Sequence, residues 1–334
     1  MENMHDIISR LDKTNQRTML ATIIAVDGSA YRKEGTTMLV EEDGTRTGLL
    51  SAGCLEEDIS ARFASVWAQG PMVERYNMRA LDDASWGLDG SGCNGVVDVL
   101  LQPVNDTLLS FLRKTGQALA RGQTVALIRS EDVSQYLCQT ESGEMFGVWN
   151  GENPQLAGVE KSGVIYSTSL TKNLYLQVIR PKPRLFVFGA QADAKPLVQF
   201  AAKVGFSVHV VDWRPALCTK THFPDADKRI IGFPHEVIPT LSFKQDDAVL
   251  LMTHHFQRDQ EIVSHLLDVH LAYFGILGSK ARTARLLATA HVPEGIRTPV
   301  GLPIRAEGPE EIAVSVVAEL IQMVKAEQRI QALT

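Results

Sequence analysis

The stretch Leu185-Phe-Val-Phe-Gly-Ala-Gln-Ala-Asp-Ala194 decides the fold of the C-terminal half of this chain. Its apolar residues predict a buried strand that ends at Gly189 and turns into a helix. Asp212 lies 23 residues beyond Gly189, close to the position where a nucleotide-binding βαβ unit carries the acid that binds a ribose. Gly189 and Ala194 fit the first and third glycines of that motif, but Gln191 replaces the second, which lets the backbone approach a pyrophosphate. The stretch therefore predicts a Rossmann-like unit and disfavours the standard pose of NAD(P).

Strands and helices alternate beyond this stretch, which predicts an α/β half with a doubly wound parallel sheet. The preceding half has β-branched runs, a hairpin around Asp43-Gly44 and a long helical pattern over residues 55–69. These patterns predict an α+β domain with a mixed sheet. Arg180-Pro181-Lys182-Pro183 is typical of a stiff linker, so we expect domains over residues 1–180 and 184–330.

The composition is that of a globular protein. The chain has 334 residues, of which 45% are apolar and 22% charged, and a net charge of −6. This charge and the absence of a Lys/Arg cluster argue against a nucleic-acid partner. No apolar run approaches the roughly 18 residues of a membrane span, and the N-terminus lacks the apolar core of a signal peptide. Four cysteines without a CxxC pair indicate reduced thiols, so we expect a cytoplasmic protein with no membrane partner.

The stretch Ser51-Ala-Gly-Cys-Leu-Glu-Glu57 places a cysteine between a strand predicted over residues 46–50 and the long helix. The positive end of a helix dipole favours a thiolate, which is the nucleophilic and metal-binding form of cysteine. The candidate ligand contacts here are Gly53, Cys54 and Glu56. The alternative is that Cys54 is a small buried residue under a turn, because free cysteines are among the most buried residues.

A second cysteine lies in the loop Trp86-Gly-Leu-Asp-Gly-Ser-Gly-Cys-Asn-Gly95, which holds four glycines. Backbone so rich in glycine can turn tightly or lie close against a ligand. Gly92 and Cys93 are therefore candidate contacts, with a purely structural turn as the alternative. Cys138 and Cys218 have no comparable setting.

Two more candidate positions follow predicted strands of the C-terminal half. His254 and His255 come after a strand, and the carboxyl ends of strands line the ligand crevice of such sheets. Ser279 precedes a helix, where free N–H groups can bind an anion. The alternative is that one histidine and Ser279 only cap their segments. The candidate cofactor-binding residues of this half are Gly189, Gln191, Asp212, His254 and Ser279.

Together these residues resemble the xanthine dehydrogenase accessory protein family, the XdhC/CoxI family, over nearly the whole chain. In the N-terminal half, the matching segments are Ala21-Thr22, Gly28-Ser29, Arg32, Gly35, Met38, residues 51–56, and residues 90–95 with Val97-Asp98-Val99. In the C-terminal half, they are Phe188-Gly189-Ala190, residues 211–215, Phe223-Pro224, Thr253-His254, Arg258-Asp259, residues 275–279, residues 299–302 and residues 309–315. Ala52 and Asn94 depart from the family, since glycine is common at both positions.

The resemblance implies a maturation factor for molybdenum hydroxylases such as xanthine dehydrogenase, an enzyme of purine catabolism. Family members bind the molybdenum cofactor (molybdopterin), protect it while its sulfido ligand is installed, and pass it to the apo-enzyme. The implied partners are the apo molybdenum hydroxylase and a cysteine desulfurase, and a homodimer is one expected state. A soft thiolate suits a sulfur-coordinated metal, so the hypothesis is that Cys54 and Cys93 face the cleft between domains and hold the cofactor or its sulfur. The helix N-termini at Ala192 or Ser279 suit its phosphate or an attached nucleotide.

Three other functions stay open from the residues alone. An NAD(P)-dependent oxidoreductase would use the Rossmann-like half directly, although Gln191 argues against it. A protein-only scaffold would recruit the desulfurase and the hydroxylase without a small ligand. A sulfur or nucleotidyl transferase would act on the cofactor, but the sequence shows neither a P-loop nor a pair of catalytic carboxylates. The sequence favours a cofactor-binding chaperone over an enzyme with turnover.

Overall fold

The computed structural model describes residues 4–79, 95–130, 133, 135–154, 161–289 and 291–331, with the side chains of the last helix described to residue 326. The chain divides into two compact units, Met1–Pro181 and Lys182–Thr334.

A five-stranded sheet forms the first layer of the N-terminal unit. The elements up to its last strand are α1 (Met4–Leu11), β1 (Thr18–Gly28), β2 (Thr37–Glu41), β3 (Arg46–Thr47), α2 (Glu56–Ala61), α3 (Phe63–Gln69), β4 (Met72–Asn77) and β5 (Gly95–Pro103). The strands lie in the order β3-β2-β1-β5-β4. Every described pair is antiparallel, so the expected mixed sheet is wrong. Strands β2 and β3 are antiparallel because the short turn at Asp43-Gly44 joins them, and so short a connection can join only antiparallel strands.

The predicted long helix over residues 55–69 is two short helices that meet at Arg62. This residue ends α2 and begins α3, with backbone angles of φ −80° and ψ −4°. Its guanidinium binds Asp58 at 2.8 Å and Glu74 of β4 at 2.8 Å. These ion pairs hold the break against the sheet.

A second antiparallel sheet completes the N-terminal unit. Its elements are α4 (Asp106–Ala120), β6 (Val125–Ser130), β7 (Tyr136–Thr140), β8 (Met145–Val148), β9 (Gly163–Ser167) and β10 (Lys172–Ile179), with strands in the order β8-β7-β6-β10-β9. The N-cap of α4 is Asn105, whose side chain accepts from Leu108 N at 2.9 Å. Strand β9 was not expected from the sequence.

Gln177 of β10 joins the two sheets of this unit. Its amide nitrogen donates to Gly35 O at 2.7 Å and to the Thr37 hydroxyl at 2.9 Å. Its oxygen accepts from the buried Arg129 at 3.3 Å. Gly35 has a φ of +86°, and a Cβ there would lie 2.4 Å from Ser162 Oγ, so the segment before β2 packs tightly against the second sheet.

Six parallel strands form the sheet of the C-terminal unit. Its elements are β11 (Arg184–Phe188), α5 (Ala194–Lys203), β12 (Ser207–Asp212), β13 (Lys228–Ile231), α6 (Pro234–Val237), β14 (Ala248–Leu251), α7 (Phe256–Leu266), β15 (Tyr273–Ile276), α8 (Lys280–Leu286), β16 (Ile296–Arg297) and α9 (Gly308–Gln331). The order is β13-β12-β11-β14-β15-β16, and all described pairs are parallel. The order reverses at β11, which is where such sheets bind ligands.

Alternate residues of β11 enter two different cores. Leu185 and Val187 pack in a cluster with residues of α5 and α9. Phe186 and Phe188 pack on the other face with residues of α7 and α8. Each buried phenylalanine stabilises the fold by about 1.5–3 kcal/mol. The predicted doubly wound α/β sheet is confirmed. None of the helices in the described ranges is both long enough and apolar enough to cross a bilayer.

Candidate functional site

The candidate residues of the N-terminal unit lie at one edge of its first sheet. Strand β1 reaches this edge at Gly28, which pairs with Gly95 at the start of β5. Because β2 is antiparallel to both β1 and β3, the chain leaves β3 towards the same edge. Strand β4 also ends there, since Asn77 pairs with Val96. The edge therefore carries residues 29–36 and 48–55, and the described ends of the segment that contains Gly92 and Cys93. Those two residues lie outside the described ranges.

The buried carboxylate of Glu56 organises the loop that holds Cys54. Its oxygens accept from Leu50 N at 3.0 Å, from Ser51 N at 2.7 Å and from Leu55 N at 3.2 Å. The Ser51 hydroxyl also donates to Glu56. The same hydroxyl accepts from Gly53 N and Leu55 N, both at 3.1 Å. Both carboxylate oxygens of Glu56, which was a candidate ligand contact, therefore accept hydrogen bonds from its own loop.

The hydrogen bonds also set the charge of Glu56. Its exposed fraction is 3%, and such burial favours the neutral acid. The bonds from the Ser51 hydroxyl and from the backbone amides outweigh burial and lower the pKa of Glu56 below its usual value. The loop is therefore built around a carboxylate that stays ionised at neutral pH.

Cys54 is a free, half-buried thiol two residues before α2. Gly53 has a φ of +112°, and a Cβ added there would meet nothing within 4 Å, so the space beside the cysteine is open. Cys138 and Cys218 are buried, and burial raises the pKa of Cys138 to about 11 and also raises the pKa of Cys218. Among the described cysteines, Cys54 is the one whose side chain a ligand can reach.

Gly189 allows the close crossing of β11 and the end of β14. Its φ is +121°, and an added Cβ would lie 2.5 Å from Met252 O. Ala190 N beyond it donates to Asp212 Oδ2 at 2.7 Å. Arg214 binds the same carboxylate at 2.7 and 2.9 Å. Burial alone would raise the pKa of Asp212, but Arg214 and the backbone amides lower it. The carboxylate that the sequence offers to a ribose is already paired.

Gln191 and Asp193 occupy the entrance to α5. The Gln191 amide donates to Thr253 O at 2.9 Å, which ties the turn to the end of β14. The Asp193 carboxylate lies at the N-cap and contacts His254 Nε2 at 2.5 Å. His254 has a φ of +58° and is half exposed. An acidic side chain at this helix terminus opposes the binding of a pyrophosphate there.

The remaining candidates of this unit act as caps. His255 begins α7, with its Nδ1 accepting from Arg258 N at 3.4 Å, and Ser279 begins α8, with its hydroxyl accepting from Arg282 N at 3.2 Å. A crevice lined by Asp212, Trp213 and Thr253, among others, has a volume of about 10 Å³. That is about the space of one water molecule.

The structure thus gathers the candidates into two sets. Gly53, Cys54 and Glu56 share one loop of the first unit, while Gly189, Gln191, Asp212 and His254 meet at the switch point of the second sheet. Ser279 lies at the next helix of that sheet. In the described part of the chain, no three His, Cys, Asp or Glu side chains are grouped as a metal site would need. Sequence reasoning missed the pairing of Arg214 with Asp212, although a basic residue two positions after the acid was a visible signal.

Three family descriptions match successive parts of the chain. They are the XdhC and CoxI family over residues 11–77, the BH1974-like central domain over residues 106–180 and the XdhC Rossmann domain over residues 185–320.

The similarity to individual known proteins extends over nearly the whole chain. A Bacillus subtilis protein described as a probable xanthine dehydrogenase subunit is 43% identical over 96% of this chain and 98% of its own length. The molybdenum cofactor insertion chaperone PaoD of Escherichia coli is 25% identical over 90% of this chain and 82% of its own. A crystal structure described as a xanthine dehydrogenase (BH1974) from Bacillus halodurans matches with a TM-score of 0.87 and 43% identity, covering 98% of this chain and 96% of that one. The chain therefore belongs to the XdhC and CoxI family.

Proposed function

We propose that this protein is a maturation factor that binds the molybdenum cofactor as cargo and inserts it into a molybdenum hydroxylase of the xanthine dehydrogenase type. The observation that carries the proposal is the Cys54 loop, in which a reachable thiol stands on backbone fixed by the buried Glu56. The similarity to PaoD, whose name states molybdenum cofactor insertion, supports the same function.

The residues of this loop fit the chemistry of the cargo. A thiolate is a soft ligand, and molybdenum in this cofactor is bound through sulfur. The open space beside Gly53 leaves room for a bulky group, and the ordered loop lowers the entropic cost of binding. Cys54 and Cys93 would contact the cofactor or its sulfur, with Gly53 and Gly92 as neighbouring contacts.

The further steps of maturation belong to the same proposal. A cysteine desulfurase would supply the sulfido ligand while the cofactor is held, and the apo hydroxylase would then receive the cofactor. The protein would act as a cytoplasmic chaperone, in one copy or as a homodimer, without turnover of its own.

In the Rossmann-like unit, Gly189, Gln191, Asp212, His254 and Ser279 are the proposed ligand contacts, and they would bind a nucleotide. An NAD(P)-dependent oxidoreductase is the weaker alternative. Arg214 holds the acid that would bind the ribose, and Asp193 occupies the helix terminus that would bind the pyrophosphate.

The test is the molybdenum and pterin content of the protein, purified without oxygen from a host that makes the cofactor. We expect near-stoichiometric amounts in the wild type and a loss in Cys54→Ala and in Cys93→Ala. Cys138→Ala is the matched control, because it removes a thiol that is buried in the core. Full cofactor content in both Cys54→Ala and Cys93→Ala would refute the proposal. A protein without metal or pterin whose stability rises with NAD(P)H would support the oxidoreductase.

A further inference from the structure

Arg32 is a half-buried cation that has no partner among the residues the structure describes. Its Nε is buried and has no hydrogen-bond acceptor, and its guanidinium forms no ion pair with any residue in the described ranges. A buried donor without an acceptor is unfavourable, and native proteins rarely keep one without a reason. The position therefore calls for an acceptor that the described part of the chain does not supply.

The acidic side chains described near this edge do not supply it, because each of them binds another group. Glu34 accepts from Val26 N at 3.1 Å, Asp27 pairs with Arg79 at 2.6 Å, Glu57 pairs with Arg46 at 2.8 Å, and Glu56 is used by its own loop. Arg32 thus leaves a positive charge at this edge that these carboxylates do not neutralise.

Arg32 and Cys54 lie at the same edge of the first sheet. Arg32 follows β1, and Cys54 lies in the segment that leaves β3 towards the same edge. Ala30 packs against the hydrophobic cluster that contains Leu50 and Leu55. The segment with the cation and the segment with the thiol are therefore anchored to one core.

We propose that Arg32 is the anion-binding residue of this edge and holds the phosphate group of the cargo, while Cys54 contacts its sulfur-rich end. A guanidinium offers a planar fork of donors that matches the oxygens of a phosphate. A phosphate bound there would give the buried Nε its acceptor. The inference rests on the proposed function and adds a second, chemically different contact to it.

The test compares two ligands and three proteins without oxygen. The ligands are molybdenum cofactor released from a molybdoenzyme and the same preparation treated with alkaline phosphatase. The proteins are the wild type, Arg32→Gln, and Lys33→Gln as the control for loss of a neighbouring positive charge. Equilibrium binding is measured by pterin fluorescence, and thermal unfolding checks that each variant is folded. Because Arg32 forms no hydrogen bond or ion pair with the described residues, we expect Arg32→Gln to unfold at the wild-type temperature or above.

The expected result is specific for both the residue and the phosphate. Arg32→Gln should weaken binding of the intact cofactor by about 10- to 100-fold, the usual effect of losing a charge-assisted contact. It should leave binding of the dephosphorylated cofactor unchanged, and Lys33→Gln should bind both ligands like the wild type. Equal binding of the intact cofactor by Arg32→Gln and the wild type would overturn the role of Arg32 and leave the proposed function standing. A wild type that binds neither ligand would overturn both.

Discussion

Replacing Glu56 should destabilise the protein, because its buried carboxylate holds the backbone of the Cys54 loop. Glu56→Gln keeps the shape of the side chain but removes its charge and replaces one acceptor oxygen by an NH₂ donor. The remaining oxygen can still accept from Leu50 N and Ser51 N, but the NH₂ group would face the Leu55 amide, donor against donor. The loss of charge-assisted bonds and the unsatisfied amide predict a decrease of about 3 kcal/mol in the free energy of unfolding at pH 7.

The same residue predicts how stability depends on pH. The pKa of Glu56 is lower in the folded protein than in the unfolded chain, so its contribution is complete above the unfolded value of about 4.3. As the pH falls below that value, the unfolded chain takes up a proton first, and the contribution is lost through the folded pKa. The stability of the wild type should therefore fall below about pH 4.5 more steeply than that of Glu56→Gln.

Urea unfolding followed by circular dichroism, at pH 7 and at steps from pH 6 to pH 3, measures both effects. Glu57→Gln is the matched control, because Glu57 is an exposed neighbour whose pairing with Arg46 contributes little. Glu56→Gln should also increase the rate at which Cys54 reacts with a thiol reagent, since its loop loses its anchor. If Glu56→Gln were as stable as the wild type at pH 7, the account of this loop would be refuted.

Two further predictions concern the C-terminal sheet and the contrast between its glycine turn and that of the first unit. Gly189→Ala should lower the free energy of unfolding by about 3 kcal/mol or more, since its Cβ would lie 2.5 Å from Met252 O. Gly53→Ala, with open space around it, should lower it by only about 1 kcal/mol. Equal losses of the two variants in urea unfolding would contradict the close crossing described for β11. Burial and two nearby cations lower the pKa of His209 to about 4. The free energy of unfolding of the wild type should therefore fall by about 3 kcal/mol as the pH drops from about 6.5 to 4. His209→Gln, measured in the same urea series, should lack that part of the loss.

The sequence predicts the C-terminal unit better than the N-terminal one because its signals are local. Strand β11 (Arg184–Phe188) ends next to Gly189 as predicted, since a parallel strand buried on both faces is a nearly continuous apolar run. The break between α2 and α3 is held by ion pairs of Arg62 with Asp58 and with Glu74 of β4. The pairing with Glu74 depends on the tertiary structure, so the helical pattern of the sequence does not reveal it. Strand β9 (Gly163–Ser167), which was not expected, has exposed alternate residues and begins where a loop-rich segment, residues 151–163, ends.

The candidate site shows the same limit. The sequence pointed to the loop of Cys54 and to the turn at Gly189, because cysteine and glycine are visible as residue types. It could not tell that the carboxylate of Glu56 turns inward to the backbone, since that depends on how the loop folds. That Arg32 has no partner among the described residues was equally hidden, because it depends on which groups the nearby acids bind in the folded protein.

The hydrogen bonds of Gln177 constrain how this protein can evolve. Gly35 belongs to the segment matched by one family description, residues 11–77, and Gln177 and Ser162 belong to the segment matched by another, residues 106–180. The Gln177 amide holds Gly35 O, and Ser162 leaves no room for a side chain at Gly35. Two segments that are recognised as separate modules are therefore bound into one cooperative body. Recombination that replaced either module alone would have to preserve this contact, so the positions of Gly35, Ser162 and Gln177 should change together among relatives.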